Sequence, residues 1–373
     1  MNRKLHIVSF NIPYPPNYGG VMDVYYKIKA LHNIGIKVTL HCFEYGREEA
    51  EELNKICAKV FYYERGKGLR DFSSLKPYIV KTRKSDELLK NLCEDDAPIL
   101  FEGLHTCYYL DNKEIENRVK AVRMHNVEWD YYRNLGKIEK GMFRKFYFYT
   151  ESLKLKNYEK ILERATYVFP IAKNDFDYLL QKFPQTKYLP AFHPNEKINC
   201  LTGKGYYVFY HGNLSVPENN QAALFLTNKV FNNIEIPLII AGGGPSDMLV
   251  DAVRKNPRIE LIINPREEEM MQLLQHAQIN LLPTFQSTGI KLKLINSLYN
   301  GRWVVVNKPM IESTGLERVC IVADSAQEMK DALKEFIEKD FTQEEIARRE
   351  ITLAAEYSNQ QNALNLTACL FPE

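Results

Sequence analysis

The stretch INLLPTFQSTGIKLKLINSLYNGRWVVVN, residues 279–307, decides the fold class of this chain. Its first residues, Ile279-Asn280-Leu281-Leu282, read as a short buried strand closed by Pro283. A polar loop, 284–289, leads into a helical run from Ile290 that stops at Asn300-Gly301. Gly301 is placed to take the left-handed conformation that ends many helices. Trp303-Val304-Val305-Val306 then supplies a strongly β-branched strand. Strand, loop, helix and strand at this spacing make a βαβ unit of a parallel sheet. In such sheets a ligand sits outside the carboxyl ends of the strands, against helix N-termini. That position offers Ser287, Thr288 and Gly289, with Lys291 and Lys293 just inside the helix, a set suited to a phosphate or diphosphate. An ordinary βα loop with solvated lysines fits the same residues equally well.

Outward from this unit, strands and helices alternate along the whole chain, which predicts open parallel α/β layers. Residues 5–10 read as the first strand, 11–20 as a proline-rich loop ending in Gly19 and Gly20, and 21–33 as a helix. The glycine pair sits where backbone can approach an anion, although a plain strand–helix turn explains it as well. Strands are expected near 38–43, 60–63, 99–101, 119–124, 167–170 and 187–189. The fifth of these seven delivers His125-Asn126-Val127-Glu128 at its carboxyl end, where a histidine can exchange protons near neutral pH. A structural histidine bonded to a loop carbonyl is the competing reading, and Glu102 and His105 are weaker candidates nearby. An aromatic- and lysine-rich helical pattern, 142–165, reads as a helix packed along the first domain rather than a membrane anchor. Pro190, Pro194 and the polar residues to Gly205 form a linker. A second series then begins, with a loop His211-Gly212-Asn213 after its first strand and Gly242-Gly243-Gly244-Pro245 after its second. The expected divisions are 1–195, 196–345 and a C-terminal helix over 346–373 that returns to the first domain.

Composition narrows the function. The chain has 373 residues, enough for two cores, and 45% apolar with 26% charged residues is the balance of a globular protein. A formal net charge of +2 gives no field to attract nucleic acid. Seven scattered cysteines without a CxxC pair point to reduced thiols in a cytoplasm and away from zinc. Met1-Asn2-Arg3-Lys4 runs directly into a strand, which is unlike a signal peptide, and no run approaches the ~18 apolar residues of a membrane span. The basic stretch 65–84, interleaved with Leu69, Phe72, Leu75, Tyr78 and Ile79, suits an anionic membrane surface, an anionic or lipid-linked substrate, or a solvated face with buried stems.

The stretch 287–305 also resembles the donor-site segment of retaining glycosyltransferases with two Rossmann-like domains, the GT-B architecture, in the large group using nucleotide-activated sugars. The resemblance rests on Ser287-Thr288-Gly289-Ile290-Lys291-Leu292-Lys293-Leu294-Ile295-Asn296-Ser297, Gly301 and Val304-Val305. It implies an α/β fold of two open parallel sheets facing a cleft. It also implies a donor site built from Gly19, Gly20, Gly212, Asn213, Gly243, Gly244, Thr288, Gly289, Lys291, Lys293 and Asn296. Lys293 matches the family's phosphate-binding lysine. The family's ribose-binding glutamate falls on Asn296, and a second glutamate common in the group falls on Thr288, so neither carboxylate is present. Asparagine still donates and accepts at a ribose. The family's His-Asn-x-Glu segment matches His125 to Glu128, which assigns His125 and Glu128 to the reacting sugar. The implied function is sugar transfer from a nucleotide sugar to a glycan or lipid-linked acceptor, with retention, without metal or cofactor, in the cytoplasm or at the inner membrane face. An epimerase or hydrolase of nucleotide sugars, or a non-catalytic binder, are the alternatives.

Overall fold

A computed structural model describes residues 3–66, 68, 75–139, 141–285 and 291–372. They form two compact units. One comprises the residues up to His193 together with those from Tyr357 onward; the other comprises the described residues from Pro194 to Glu356.

The first unit is built on strands β1 (Lys4–Ser9), β2 (Lys37–Glu44), β3 (Lys59–Glu64), β4 (Ile99–Glu102), β5 (Lys120–Met124) and β6 (Tyr167–Pro170). All pair in parallel, in the order β3-β2-β1-β4-β5-β6. Alternating side chains serve opposite faces, so both must be covered by apolar layers. Leu5, Ile7, Val38, Leu40, Leu100 and Ala121 enter one cluster, while Val8, Phe43, Ile99, Phe101 and Val122 enter the other. The helix Gly19–Asn33 brings Val24, Ile28 and Leu31 to the first of these layers. The helix Asn359–Leu370 adds Ala363, Leu366 and Leu370 to the same layer.

Two boundaries differ from the sequence expectation. Residues 187–189 form no strand, and only an isolated bridge joins Val168 to Thr186. The carbonyls of Leu189 and Pro190 instead accept from the buried Arg123 guanidinium. The C-terminal segment is two helices rather than one. Gln343–Glu356 stays with the second unit, which therefore extends past residue 345, and a new start at Ser358 caps the amide of Gln361 at 3.2 Å.

The second unit repeats the plan with β7 (Val208–His211), β8 (Leu238–Gly242), β9 (Ile259–Ile263), β10 (Ile279–Leu282), β11 (Trp303–Val306) and β12 (Ile321–Val322). Its order, β12-β11-β10-β7-β8-β9, is that of the first sheet counted from its own first strand. In each sheet the chain reverses its direction of growth beside the first strand, between β1 and β4 and between β7 and β10. These are the switch points at which α/β sheets bind ligands.

The deciding stretch forms the expected unit, with Ile279 to Leu282 in parallel register with Trp303 to Val306. Its helix, Leu292–Asn300, starts later than Ile290, and Lys291 is the N-cap residue with φ −88° and ψ 43°. Gly301 is not left-handed: its φ is −99°. It is glycine because a Cβ there would overlap the Asn280 amide. The terminal carbonyls are met from elsewhere, since buried Arg349 donates to the carbonyls of Leu298, Gly301 and Arg302. The seven cysteines are free thiols. Among the described residues, no helix is long and apolar enough to cross a membrane.

Candidate functional site

The switch point of the first sheet gathers ionisable groups from three elements. His125 follows β5, Glu102 ends β4, and Asp23 and Lys27 lie one turn apart on the helix Gly19–Asn33. His125 Nε2 stands 3.0 Å from Glu102 Oε2. Lys27 Nζ bridges the two carboxylates, 2.8 Å from Glu102 Oε1 and 2.9 Å from Asp23 Oδ2. Arg123 closes the chain bidentately, with Nε 3.0 Å from Oδ2 and Nη2 2.8 Å from Oδ1 of Asp23. Two carboxylates and two cations cancel, so these four side chains can be wholly buried as ions. Burial would by itself raise the Asp23 carboxyl, but Arg123 and Lys27 overcome it and hold the group well below the usual range. Asp23, Glu102 and His125 bring three potential metal-ligand atoms within 4.8 Å of one another. Lys27 lies between the carboxylates, so this trio does not fit a cation.

The arrangement sets the chemistry of His125. With Nε2–H donated to Glu102, Nδ1 is the acceptor nitrogen, buried and without a hydrogen-bond partner among the described residues. The Phe10 ring packs edge-on against the imidazole at 5.3 Å. Its far end also explains Gly20, because a Cβ there would stand 2.8 Å from Phe10 Cζ. Gly20 thus makes room for an aromatic ring; Gly19 opens the helix beside it.

Glu128 is not the partner of His125. It begins the helix Glu128–Ile138, buried, with Oε1 lacking a hydrogen-bond partner among the described residues and His105 Nδ1 3.8 Å away. Burial, aided by Asp175, pushes its carboxyl up to about 8, so it is a neutral acid at pH 7. Burial also holds the His105 imidazole neutral, well below its ordinary value. The residue that orients His125 is Glu102, whose only sequence signal was its place at the end of a strand.

In the second unit, the corresponding position carries, among the described residues, two lysines beside one carboxylate. Lys293 Nζ donates to Asn219 Oδ1 at 3.1 Å and lies 5.5 Å from the Tyr210 ring centre. Burial lowers its ammonium to about 8 against the pull of Glu218, and Lys291 lowers it further. Lys291 is lowered by burial as well. Glu218 sits in the first turn of the helix Pro217–Phe225, where the helix dipole favours an anion, and its Oε1 accepts from Thr284. Thr284 is locked in turn by Asn307, whose Oδ1 accepts the Thr284 amide at 2.9 Å. Glu218 and Thr284 escaped the sequence reading because their meeting spans 66 positions. His211, at the end of β7, is lowered to about 3 by burial and then by Lys293, and so is neutral.

The glycine loops around these lysines pack against each other. The Ser215 amide donates to Gly243 O at 3.0 Å, and Gly244 takes φ +65° with no room for a Cβ beside Ser215. Gly243 lies against Asn264 and Gly212 against Asn219. Asn213 Oδ1 accepts the Ser215 amide at 3.1 Å, which shapes the loop. Asn296 is engaged within its own helix, accepting from Asn300 Nδ2 at its side-chain oxygen, 3.0 Å, and its carbonyl, 2.9 Å. Thr288 and Gly289 lie outside the described residues, as do Leu69 and Phe72 of the basic stretch.

What is described of that stretch is not a free basic face. Arg83 is buried and donates to Phe10 O and Ile79 O. Arg65 lies over the Tyr45 ring and Lys76 over the Tyr108 ring, each at 4.4 Å.

Similarity to known structures extends along the whole chain. A glycosyltransferase from Rickettsia africae matches with a TM-score of 0.65 at 12% identity, covering 100% of both chains. Staphylococcus aureus TarM, crystallised as a variant with UDP, alpha-GlcNAc-glycerol and fondaparinux, matches at 0.67 and 11% identity over 99% of this chain and 100% of that one. Sucrose-phosphate synthase from Thermosynechococcus elongatus matches at 0.65 and 13% over 98% and 97%. This chain has the GT-B fold. Among curated sequences, an uncharacterised 44.6 kDa protein in the cps region of Klebsiella pneumoniae is 29% identical over 330 residues, 84% of each chain. No protein-family model matches. In GT-B terms the lysine cluster occupies the switch point of the C-terminal sheet, and the His125 network that of the N-terminal one.

Proposed function

We propose that the protein is a glycosyltransferase that takes a sugar from a nucleoside diphosphate donor and passes it to a glycan or lipid-linked acceptor. The observation that supports this most is the Lys291–Lys293 pair with Glu218 as the carboxylate acting on both among the described residues, at the switch point of a GT-B second domain. Two ammonium groups against one carboxylate leave a net positive charge that a diphosphate would neutralise. Charge builds on the departing diphosphate during transfer, so these lysines and the helix amides act mainly in the transition state. His125, with Nδ1 as acceptor and Nε2–H held by Glu102, would receive a hydroxyl of the sugar or acceptor. The reading includes retention at the anomeric carbon, with the leaving diphosphate helping to take the acceptor proton, and transfer without a metal. The cps-region relative supports a polysaccharide or its precursor as acceptor.

The test is incubation with a panel of nucleotide sugars, with and without oligosaccharide and lipid-linked acceptors. Nucleoside diphosphate released only when acceptor is present is the expected result, and chelator leaves it unchanged. A changed sugar without acceptor would make the protein an epimerase, and free sugar would make it a hydrolase. Thermal stabilisation by nucleotide sugar with no turnover would leave it a binder.

A further inference from the structure

The first unit carries a projecting helical hairpin that neither half of the proposed chemistry uses. Helix Glu128–Ile138 and helix Met142–Tyr158 pack against each other, with Gly136 facing Phe148 and Tyr149 of the second helix. A Cβ at Gly136 would stand 3.4 Å from the Tyr149 ring, in ordinary contact. The second helix is anchored only in its later half. Glu151, Ser152 and Leu155 are buried, Ser152 Oγ donates to Trp129 O at 2.7 Å, and Glu151 accepts the Tyr78 amide at 2.6 Å. Its first turns are bare: Phe143 is 94% exposed, Met142 83% and Phe146 71%. Met142, Phe146 and Leu153, itself 65% exposed, follow the spacing i, i+4, i+11 and so share one face. Met142, Phe143 and Phe146, all bare at the start of this helix, are not leftover surface, because monomeric proteins seldom cluster such groups in water.

The charge around them selects the occupant. Arg133, Lys137, Arg144 and Lys145 are exposed at the same end of the hairpin, and Glu139 is the acidic residue among them. Glu139 is turned back to accept the Gly141 amide at 2.9 Å. A second copy of the chain is disfavoured, since a two-fold contact would set these cations against themselves. A neutral glycan could stack on the phenylalanines but would find no hydrogen bond from exposed Met142 and Leu153 and no use for the cations around them. An anionic bilayer satisfies both features: its headgroups meet the arginines and lysines while the apolar side chains enter the acyl boundary. We infer that the 128–158 hairpin is a membrane-docking arm that seats the protein on an anionic lipid surface. The inference stands apart from sugar transfer, because it needs no donor, acceptor or turnover.

Co-sedimentation of the full chain with vesicles tests it directly. Binding is expected with phosphatidylcholine vesicles containing phosphatidylglycerol, weakening as salt rises and absent with phosphatidylcholine alone. The double variant Phe143→Ser with Phe146→Ser should bind about tenfold or more weakly, as should Arg144→Glu with Lys145→Glu, while Ile351→Ser, another exposed apolar position, binds as wild type. Phe143→Trp provides a spectroscopic check, its emission moving to shorter wavelength on adding anionic vesicles. Since the tip is solvent-exposed, thermal unfolding of all these variants should match wild type. No binding to anionic vesicles, or binding unaffected by both double variants, overturns the inference. So does light scattering showing a dimer that the phenylalanine variants dissociate.

Discussion

The two sheets have the same strand order and the same switch point, yet they handle charge there in opposite ways. In the first unit, Asp23, Lys27, Glu102 and Arg123 are wholly buried and neutralise one another, leaving one imidazole nitrogen of His125 as the available group. In the second, Lys291 and Lys293 outnumber Glu218, and burial lowers both ammoniums without cancelling them. A closed network resists change and positions a single atom. An unbalanced one stores an affinity for anions. Similar topology therefore supplies a rigid chemical group in one half and a charge trap in the other.

The comparison breaks most visibly if the closed network is opened. Arg123→Met leaves Asp23 buried without its bidentate partner, and unfolding free energy should fall by about 3–5 kcal/mol. The pH dependence should change with it. Asp23 has a folded value below its unfolded 3.8, so it contributes stability above that pH and loses it as pH falls toward the folded value. In the variant the acid side of the stability curve should be shallower, as read by chemical denaturation at several pH values. A loss under about 1 kcal/mol, the range of surface pairs, would show that the network is not the closed unit described.

Next in size is His125→Ala. If His125 supplies the reacting contact and the second unit holds the nucleotide, turnover should drop by about two to four powers of ten while donor affinity stays near wild type. A Glu102→Gln variant separates positioning from contact, because its amide oxygen can still accept from His125 while the charge, and the acceptor facing Lys27, are lost, and so should shift the pH profile of turnover. Unchanged turnover in His125→Ala would return this histidine to a purely structural place.

The lysine cluster is tested by nucleoside diphosphate affinity in titration calorimetry. A charged hydrogen bond contributes about 1.5–3 kcal/mol, so Lys293→Ala should weaken binding about ten- to a hundredfold, with Lys291→Ala weaker in effect. Wild-type affinity should decline as pH rises through about 8, where Lys293 loses its proton, and that inflection should vanish in Lys293→Ala. If Lys291→Ala is the more damaging, the order is reversed; if neither matters, the second switch point is no anion site.

The smallest effect is expected at Glu218. Its carboxylate occupies the helix start that an incoming phosphate would favour, so Glu218→Gln should raise diphosphate affinity a few-fold while lowering the Lys293 pKa that Glu218 supports. A loss of affinity would instead mean that Glu218 binds the nucleotide itself.

Much of this architecture is legible in the chain. The alternation of β-branched runs with helical periodicity, and the unit at 279–307, carry the two-sheet fold because apolar spacing is a local property of consecutive residues. Local, too, is the placement of His125, Lys291 and Lys293 near strand ends or helix starts. Partnership is another matter. His125 and Glu128 stand three positions apart in the chain, yet the sheet register brings Glu102 beside His125 from the neighbouring strand and leaves Glu128 facing His105. Gly301 looks like a left-handed terminator but is required by Asn280 on the adjacent strand, and Arg349 from a later helix meets the carbonyls it was expected to satisfy. The chain by itself determined which elements form and which chemical groups stand at their ends. Only the tertiary structure decided which of those groups meet, because partners such as Thr284 and Glu218 or Arg123 and Asp23 are separated by 66 and 100 positions, and burial, which sets their protonation, exists only once the layers have packed.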